Sequence, residues 1–122
     1  MNTAASVPLS QFVVPLLPAA YDLLHHLGIT ENYKGFRYAA YAAALTSIDP
    51  DRLLLVTKRL YPDVARHFGT SWPAVERDLR TVINVAWKCS PVFLDHLAQT
   101  HLEHKPSCAC FLAILSRSLR SI

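Results

Sequence analysis

The sequence predicts an all-α fold, a compact bundle of about six helices that contains a helix-turn-helix. Apolar residues recur mostly at helical spacing, few stretches alternate as a β-strand would, and only 3 of the 122 residues are glycine. The apolar fraction of 52% and the charged fraction of 17% are typical of a globular chain, and this length fits one core. We therefore expect one domain over residues 19–122, preceded by an N-terminal arm over residues 1–18.

The arm is apolar but rich in proline. Pro15 and Pro18 argue against a regular helix there, because a proline inside a helix removes a backbone donor and clashes with the preceding turn. Beyond the arm, Gly28 and the pair Asp49-Pro50 are typical stop and start signals. We expect three helices in this half of the chain, at Ala19–Leu27, Lys34–Thr46 and Asp51–Leu60.

The second half of the chain has clearer boundaries. Gly69 can end one helix, Thr70 and Ser71 can both cap the next, and Pro73 suits a first helical turn. Four further helices are expected, at Pro62–Phe68, Trp72–Lys88, Pro91–Thr100 and Ser107–Leu119.

The most regular of these helices is Trp72–Lys88, which has two distinct faces. Its apolar residues recur in steps of three and four and predict one buried stripe, formed by Val75, Leu79, Val82, Ile83 and Ala86. Its opposite face is polar, and basic toward the N-terminus, with Glu76, Arg77, Arg80, Thr81 and Asn84.

A short helix, a turn with Gly69 and a longer helix with a basic face have the anatomy of a helix-turn-helix. The second helix of that motif enters the DNA major groove, where an arginine can bind guanine O6 and N7 and a glutamate can accept from cytosine N4. Backbone N–H groups at the helix start, with Thr70 and Ser71, favour a phosphate. The alternative is a solvated face, on which Glu76 and Arg80 form a surface pair worth about 0.3–0.5 kcal/mol.

Three stretches of the chain carry a resemblance to a known family. They are LGITENYKGFRYAAYA (Leu27–Ala42), TKRLYPDVARHFGTSWPAVERDLRTVINVAW (Thr57–Trp87) and, more weakly, HKPSCACFLAILSRSLR (His104–Arg120). Over about Ala19 to Arg120 the chain resembles the C-terminal effector domain of the stage-zero sporulation protein A family, the master response regulators of endospore formation. The run LYP-x-VA followed by VER-x-x-R-x-x-I-x-VAW is specific to that resemblance.

The resemblance implies a six-helix bundle that binds short promoter boxes and acts on RNA polymerase. Glu76, Arg77 and Arg80 match positions that contact DNA in the family's recognition helix, and Thr81 matches a polar position that faces the backbone or the bases. The implied partners are double-stranded DNA, the sigma subunit of RNA polymerase, and a second copy of the chain on tandem sites. The last helix, Ser107–Leu119, is the implied contact between protomers.

The sequence departs from the family pattern in two ways. Ala74 stands where the family usually has a base-reading arginine, and Pro73 replaces a small polar residue. Loss of one bidentate contact weakens discrimination by about 1–3 kcal/mol, so we expect either a relaxed or different box or binding mainly through the DNA backbone. The family's domain also normally follows a phosphorylatable receiver domain. The residues before the first helix leave no room for one, so for a complete chain of this length we expect no phosphorylation control in cis.

The two tryptophans and a group of histidines and cysteines near the C-terminus give weaker evidence for a function. We expect Trp87 to be structural, and Trp72 to pack on the preceding helix rather than to touch the DNA backbone. A late group of possible zinc ligands has spacing that departs from zinc sites, so we predict no metal and no cofactor; its members are His96, His101, His104, Cys108 and Cys110.

Several classes of protein are excluded. The chain has no serine nucleophile elbow, no glycine-rich phosphate loop and no paired carboxylates in a plausible cleft, so we expect no enzyme. No apolar run is long enough for a membrane helix. Three cysteines with uneven spacing do not form a disulfide framework, which favours a reducing cytoplasm.

Two hypotheses for function remain. The first is a sequence-specific transcriptional regulator that reads a promoter box with residues 72–88. The second is a protein-interaction module of the same fold that modulates a related regulator or RNA polymerase without reading DNA. Two features motivate the second hypothesis: Ala74, which removes an expected base contact, and the missing receiver domain.

Overall fold

The computed structural model describes residues 9–121. Residues 1–8 and 122, which belong to the predicted arm and domain, lie outside the described residues. The described chain has no strand; its α-helices are Ser10–Val13 (α1), Leu17–His26 (α2), Lys34–Ile48 (α3), Tyr61–Phe68 (α4), Trp72–Cys89 (α5), Pro91–Ala98 (α6) and Cys108–Arg120 (α7). The six longer helices form a compact bundle, which confirms the predicted all-α fold.

The prolines near the N-terminus divide that segment into short helical pieces. Pro15 lies in a 3₁₀ turn, Val14–Leu16, that follows α1. Helix α2 begins at Leu17, earlier than the predicted Ala19, because Pro18 falls in its first turn, where a missing N–H breaks no helical hydrogen bond. Val13 is fully buried, so this segment packs against the core.

Helix α3 is the centre of the bundle and contacts α2, α5 and α7. At its N-terminal end, a Cβ on Gly35 would lie only 2.3 Å from the carbonyl oxygen of Asp78 on α5. Only glycine permits this approach of the two backbones. Along the rest of α3, small side chains let neighbouring helices pack closely; the buried ones include Ala39, Ala40, Ala42, Ala43 and Ala44.

The predicted α-helix over Asp51–Leu60 is wrong in type. The chain forms a 3₁₀ helix, Pro50–Leu55, and then a π-helical turn, Val56–Leu60. Leu55 leaves the helical region, with φ −132° and ψ 53°, and Leu54 is 81% exposed. The apolar run therefore has no continuous buried face, and packing is what stabilises most α-helices of this length.

Ion pairs fix this irregular segment to the helix-turn-helix. The Arg52 Nε atom donates to Asp49 Oδ2 at 3.0 Å, and the same guanidinium pairs with Asp63 of α4. The Arg52 side chain is only 13% exposed, so it forms part of the packed structure.

The connection from α6 to α7 is an ordered loop. Helix α6 ends at Ala98, before the predicted Thr100, because Gln99 adopts a left-handed conformation with φ 59°. Beyond it, Asp95 Oδ1 accepts from the Leu102 N–H at 3.0 Å, and Asp95 Oδ2 lies 2.8 Å from His101 Nδ1. The Leu102 hydrogen bond, followed by the His101 contact, holds the pKa of the Asp95 carboxyl below its ordinary value.

The far end of this loop is fixed by the start of α7. Pro106 is buried. Ser107 is the N-cap of α7, and its Oγ accepts from the Cys110 N–H at 3.1 Å. The loop is therefore anchored at both ends.

Candidate DNA interface

The turn between α4 and α5 begins with a glycine stop. Gly69 has φ 66°, the left-handed conformation that commonly follows the last helical residue. The Thr70 N–H donates to the Ala65 carbonyl at 2.9 Å, which closes the end of α4. The turn therefore has the geometry that the position of Gly69 predicts.

Ser71 is the cap of α5. Its backbone is extended, and its Oγ accepts from the Ala74 N–H at 3.4 Å. Pro73 lies in the first turn, as predicted. Thr70, which could also have served as the cap, is a half-buried residue of the turn.

The predicted buried stripe of α5 is confirmed in full. Each of its five residues is at most 2% exposed: Val75, Leu79, Val82, Ile83 and Ala86. Gly35 of α3 approaches the same helix at Asp78 and Val82. The helix is thus held over its length, and its opposite face is fixed in direction.

The exposed face of α5 carries the predicted cationic groups. The side chains of Arg77 and Arg80 are 67% and 60% exposed. Arg77 Nε donates to Asp78 Oδ1 at 3.3 Å, and Thr81 Oγ1 donates to the Arg77 carbonyl at 3.3 Å. Arg77, Thr81 and Asn84 are all exposed and follow one another by four and three residues, so they share one stripe.

Glu76 lies at the edge of this face. Its Oε1 is 3.5 Å from Arg80 Nη2, and its side chain is 36% exposed. Tyr61 of α4 is buried, and this burial raises the pKa of its hydroxyl group. Helices α4 and α7 both contact α5.

The remaining predicted site residues lie around the start of α5. Trp72 is 42% exposed, which leaves a large part of its indole at the surface. Ala74 is half-buried.

Trp87, near the end of α5, was predicted to be structural. It is half-buried and packs against the core.

One residue near this face has no signal in the local sequence. Lys105, in the loop before α7, places its Nζ 2.6 Å from Asn84 Oδ1 on α5. These residues are separated by 21 positions, so helical periodicity could not have brought them together. Ser107, after Pro106, marks the start of α7, but nothing in the local sequence places Lys105 beside α5.

The late histidines and cysteines do not converge. His101 contacts Asp95 in the loop after α6, while Cys108 is a half-buried free thiol at the start of α7. Across residues 9–121, no three or more potential metal ligands lie close enough together to hold an ion.

Comparison with known families agrees with this geometry. The family described as "Sporulation initiation factor Spo0A C terminal" matches residues 20–119. The chain belongs to this family. The match covers most of the chain and includes the whole of α4 and α5. Members of the Spo0A C-terminal family are DNA-binding effector domains, not enzymes, and act in transcription regulation during sporulation. The chain is accordingly a DNA-binding regulator of the Spo0A C-terminal family. In the part of the chain that the structure describes, no helix is long and apolar enough to cross a membrane.

Proposed function

We propose that the protein regulates transcription by reading a promoter box in the major groove with the N-terminal half of α5. The observation that carries this proposal is the pair of exposed arginines, Arg77 and Arg80, on a helix whose other face is buried throughout. A fixed helix limits the freedom of its side chains. Arginines on it are therefore suited to bidentate bonds with guanine O6 and N7.

The carboxylate of Glu76 has a second role in this proposal. At 3.5 Å its contact with Arg80 is long, and such a surface pair is worth about 0.3–0.5 kcal/mol. The pair can therefore separate at little cost when DNA enters. Glu76 then either accepts from cytosine N4 or orients Arg80 toward a guanine.

The start of α5 would meet the sugar-phosphate backbone. The hydroxyl groups of Thr70 and Ser71 and the exposed edge of Trp72 form a surface suited to a phosphate. Ala74 has no group that can bond a base edge. The base pair that faces Ala74 should therefore be degenerate in the recognised box.

We further propose, on family resemblance, that a second copy binds a tandem site and that α7 contributes to the contact between protomers. The sigma subunit of RNA polymerase is the proposed protein partner. Neither partner is needed for the reading of one box by one copy, so a duplex with one box tests the reading by itself.

Selection of bound duplexes from a random pool tests the proposal directly. We expect one enriched box with a degenerate position. Arg77→Ala should then lose about 1–3 kcal/mol of binding to that box, roughly 5- to 150-fold, as for one lost bidentate contact. Binding is measured by fluorescence anisotropy at fixed salt.

The matched control is Arg120→Ala, which removes one exposed positive charge at the far end of α7. It should bind the box as the wild type does. If no sequence is enriched, or if Arg77→Ala binds the box as tightly as wild type, base reading by α5 is wrong. Capture of a related regulator or RNA polymerase in place of DNA would then favour the interaction-module hypothesis.

A further inference from the structure

We propose that a cavity between α3, the 3₁₀ helix Pro50–Leu55 and α4 binds the phosphate group of a small phosphorylated molecule. The cavity has a volume of about 330 Å³, and none of its lining residues belongs to α5, so it is separate from the DNA-reading face. The proposal therefore does not depend on base reading. The lining residues are Tyr41, Leu45, Arg52, Asp63, Arg66 and His67.

The more buried cation of this cavity is Arg52, whose side chain is only 13% exposed. Its guanidinium pairs with Asp49 through Nε and with Asp63 through Nη1. A guanidinium has five N–H donors, and these two carboxylates engage only part of them. The two ion pairs therefore hold the group in a fixed direction, while it keeps donors for a further acceptor.

The carboxylate of Asp63 does not make the cavity a cation site. Its Oδ1 accepts from Arg66 Nη1 at 3.0 Å, and its Oδ2 is paired with Arg52. Both of its oxygens are therefore engaged by arginines. Asp49, the second carboxylate on Arg52, does not line the cavity. The lining thus carries two guanidinium groups against one carboxylate, and this excess of positive charge favours an anion.

The aromatic part of the lining adds neutral donors. His67 stacks on Tyr41, with ring centroids 4.0 Å apart and ring planes 13° apart. Burial raises the pKa of the Tyr41 hydroxyl above its ordinary value, so near neutral pH this group remains an O–H donor. A neutral imidazole also carries one N–H donor. An anionic oxygen in the cavity can therefore accept from neutral groups as well as from arginines.

The origin of these donors favours a phosphate over a carboxylate. They come from three separate elements, with Tyr41 on α3, Arg52 on the 3₁₀ helix, and Arg66 and His67 on α4. A carboxylate has two oxygens in one plane, whereas a phosphate presents its oxygens in tetrahedral directions and can accept from several sides. The planar fork of arginine matches phosphate oxygens in bidentate geometry. A phosphate shared by Arg52 and Arg66 would also join the irregular segment to α4.

Inorganic phosphate is the smallest ligand with this chemistry and serves as the probe. It is titrated into the full chain at constant ionic strength and neutral pH, and NMR follows the Nε–H resonances of Arg52 and Arg66. We expect both resonances to shift in a saturable way, while the Leu102 amide resonance stays in place. Acetate, the carboxylate probe, should bind more weakly than phosphate.

Two variants test the donors of the lining. Arg66→Ala removes one cation and should weaken phosphate binding about tenfold or more, as for a lost hydrogen bond between charged groups. Tyr41→Phe keeps the stacked ring, removes only the hydroxyl group and should weaken binding about two- to tenfold. The matched control is Arg120→Ala, which removes the same charge from an exposed site on α7 and should leave phosphate binding unchanged.

Two results of the phosphate titration would overturn the proposal. A shift that does not saturate, or that is equal in wild type and Arg66→Ala, marks a general effect of salt. Equal affinity for acetate and phosphate would overturn the assignment to a phosphate.

The DNA backbone offers the same phosphate chemistry, so a duplex titration over several salt concentrations separates the two sources. We expect Arg66→Ala to leave the slope of log binding constant against log salt concentration unchanged. A slope shallower by about 0.9 would assign the cavity to a DNA phosphate and overturn the proposal. If wild type binds no duplex, the proposed function fails, while the phosphate titration still decides this proposal.

Discussion

Two glycines determine how α5 is positioned in the bundle. Gly35 allows α3 to touch the backbone of α5 at Asp78, and Gly69 turns the chain between α4 and α5. Gly35 has an ordinary helical backbone, so it is required only because a larger side chain would collide with α5. Gly69 has open space around its Cα, so its role is entirely one of backbone conformation.

Gly35→Ala should destabilise the domain by about 3 kcal/mol, because its new Cβ meets backbone that cannot rotate away. The same change should weaken DNA binding, since α5 must move to admit the methyl group. Urea unfolding and anisotropy measure the two effects. Gly69→Ala is the control: its cost should be about 1 kcal/mol, from the left-handed backbone alone. Equal losses for the two variants would contradict the close-contact explanation.

At the scale of elements, caps and anchors decide which segments are ordered. Ser71 and Ser107 cap α5 and α7, and each accepts a backbone N–H from three residues ahead. Asp95 of α6 also accepts a backbone N–H, but its donor, Leu102, lies in the loop that follows the helix. The loop that contains Lys105 is therefore held against α6 by the Asp95–Leu102 hydrogen bond and runs directly into the cap of α7.

Asp95→Ala should loosen this loop. We expect faster amide hydrogen exchange at Leu102, because its N–H would no longer have the Asp95 carboxylate as its acceptor. Exchange in α3 should be unchanged. The control is Asp51→Ala, which removes an exposed carboxylate from the 3₁₀ helix. Unchanged Leu102 exchange in Asp95→Ala would show that the loop is ordered by other contacts.

The same anchor predicts a pH dependence. The folded pKa of Asp95 is lowered from the ordinary value of 3.8, so the carboxylate stabilises the loop at pH above that value. This contribution is lost as the pH falls below 3.8 and through the lowered folded pKa. The Leu102 amide resonance should therefore titrate with a midpoint below 3.8. A midpoint at or above 3.8 would contradict the anchoring role.

At the scale of the molecule, one core joins the DNA-facing helix to the rest of the bundle. Helix α3 contacts α2, α5 and α7. A substitution that disrupts the packing of α3 therefore affects the position of α5, even though the substituted residue is not at the DNA interface. Phe36, at the start of α3, is 1% exposed and stacks on Tyr21 of α2 with ring centroids 5.3 Å apart.

Phe36→Ala should cost about 3–5 kcal/mol, the usual result of deleting a buried aromatic ring. We expect α5 and α2 to unfold in one transition, because they share this core. Circular dichroism and tryptophan fluorescence should give the same midpoint. Val92→Ala, at a site that is 81% exposed, should change stability by less than about 0.5 kcal/mol. Separate transitions in Phe36→Ala would mean that the bundle is not a single cooperative unit.

Much of the fold and of the candidate site could be predicted because it depends on local features. Helical spacing along α5 predicted its buried stripe, and therefore the direction of Arg77 and Arg80. Gly69 and Ser71 mark a helix stop and a helix start by their own conformational and hydrogen-bonding preferences. The segment Asp51–Leu60 was mistaken for a regular helix because its residues favour one, while only packing partners could have stabilised it.

By itself, the sequence determined six of the seven expected helices, the cap of α5, its two faces and the family. The helices, the cap and the two faces depend on residues close together in the chain. The tertiary structure alone decided that Gly35 touches Asp78 and that Lys105 lies beside Asn84. These contacts join residues 43 and 21 positions apart, and no periodic pattern spans a loop. They arise because burial of one core fixes where each helix and loop must lie.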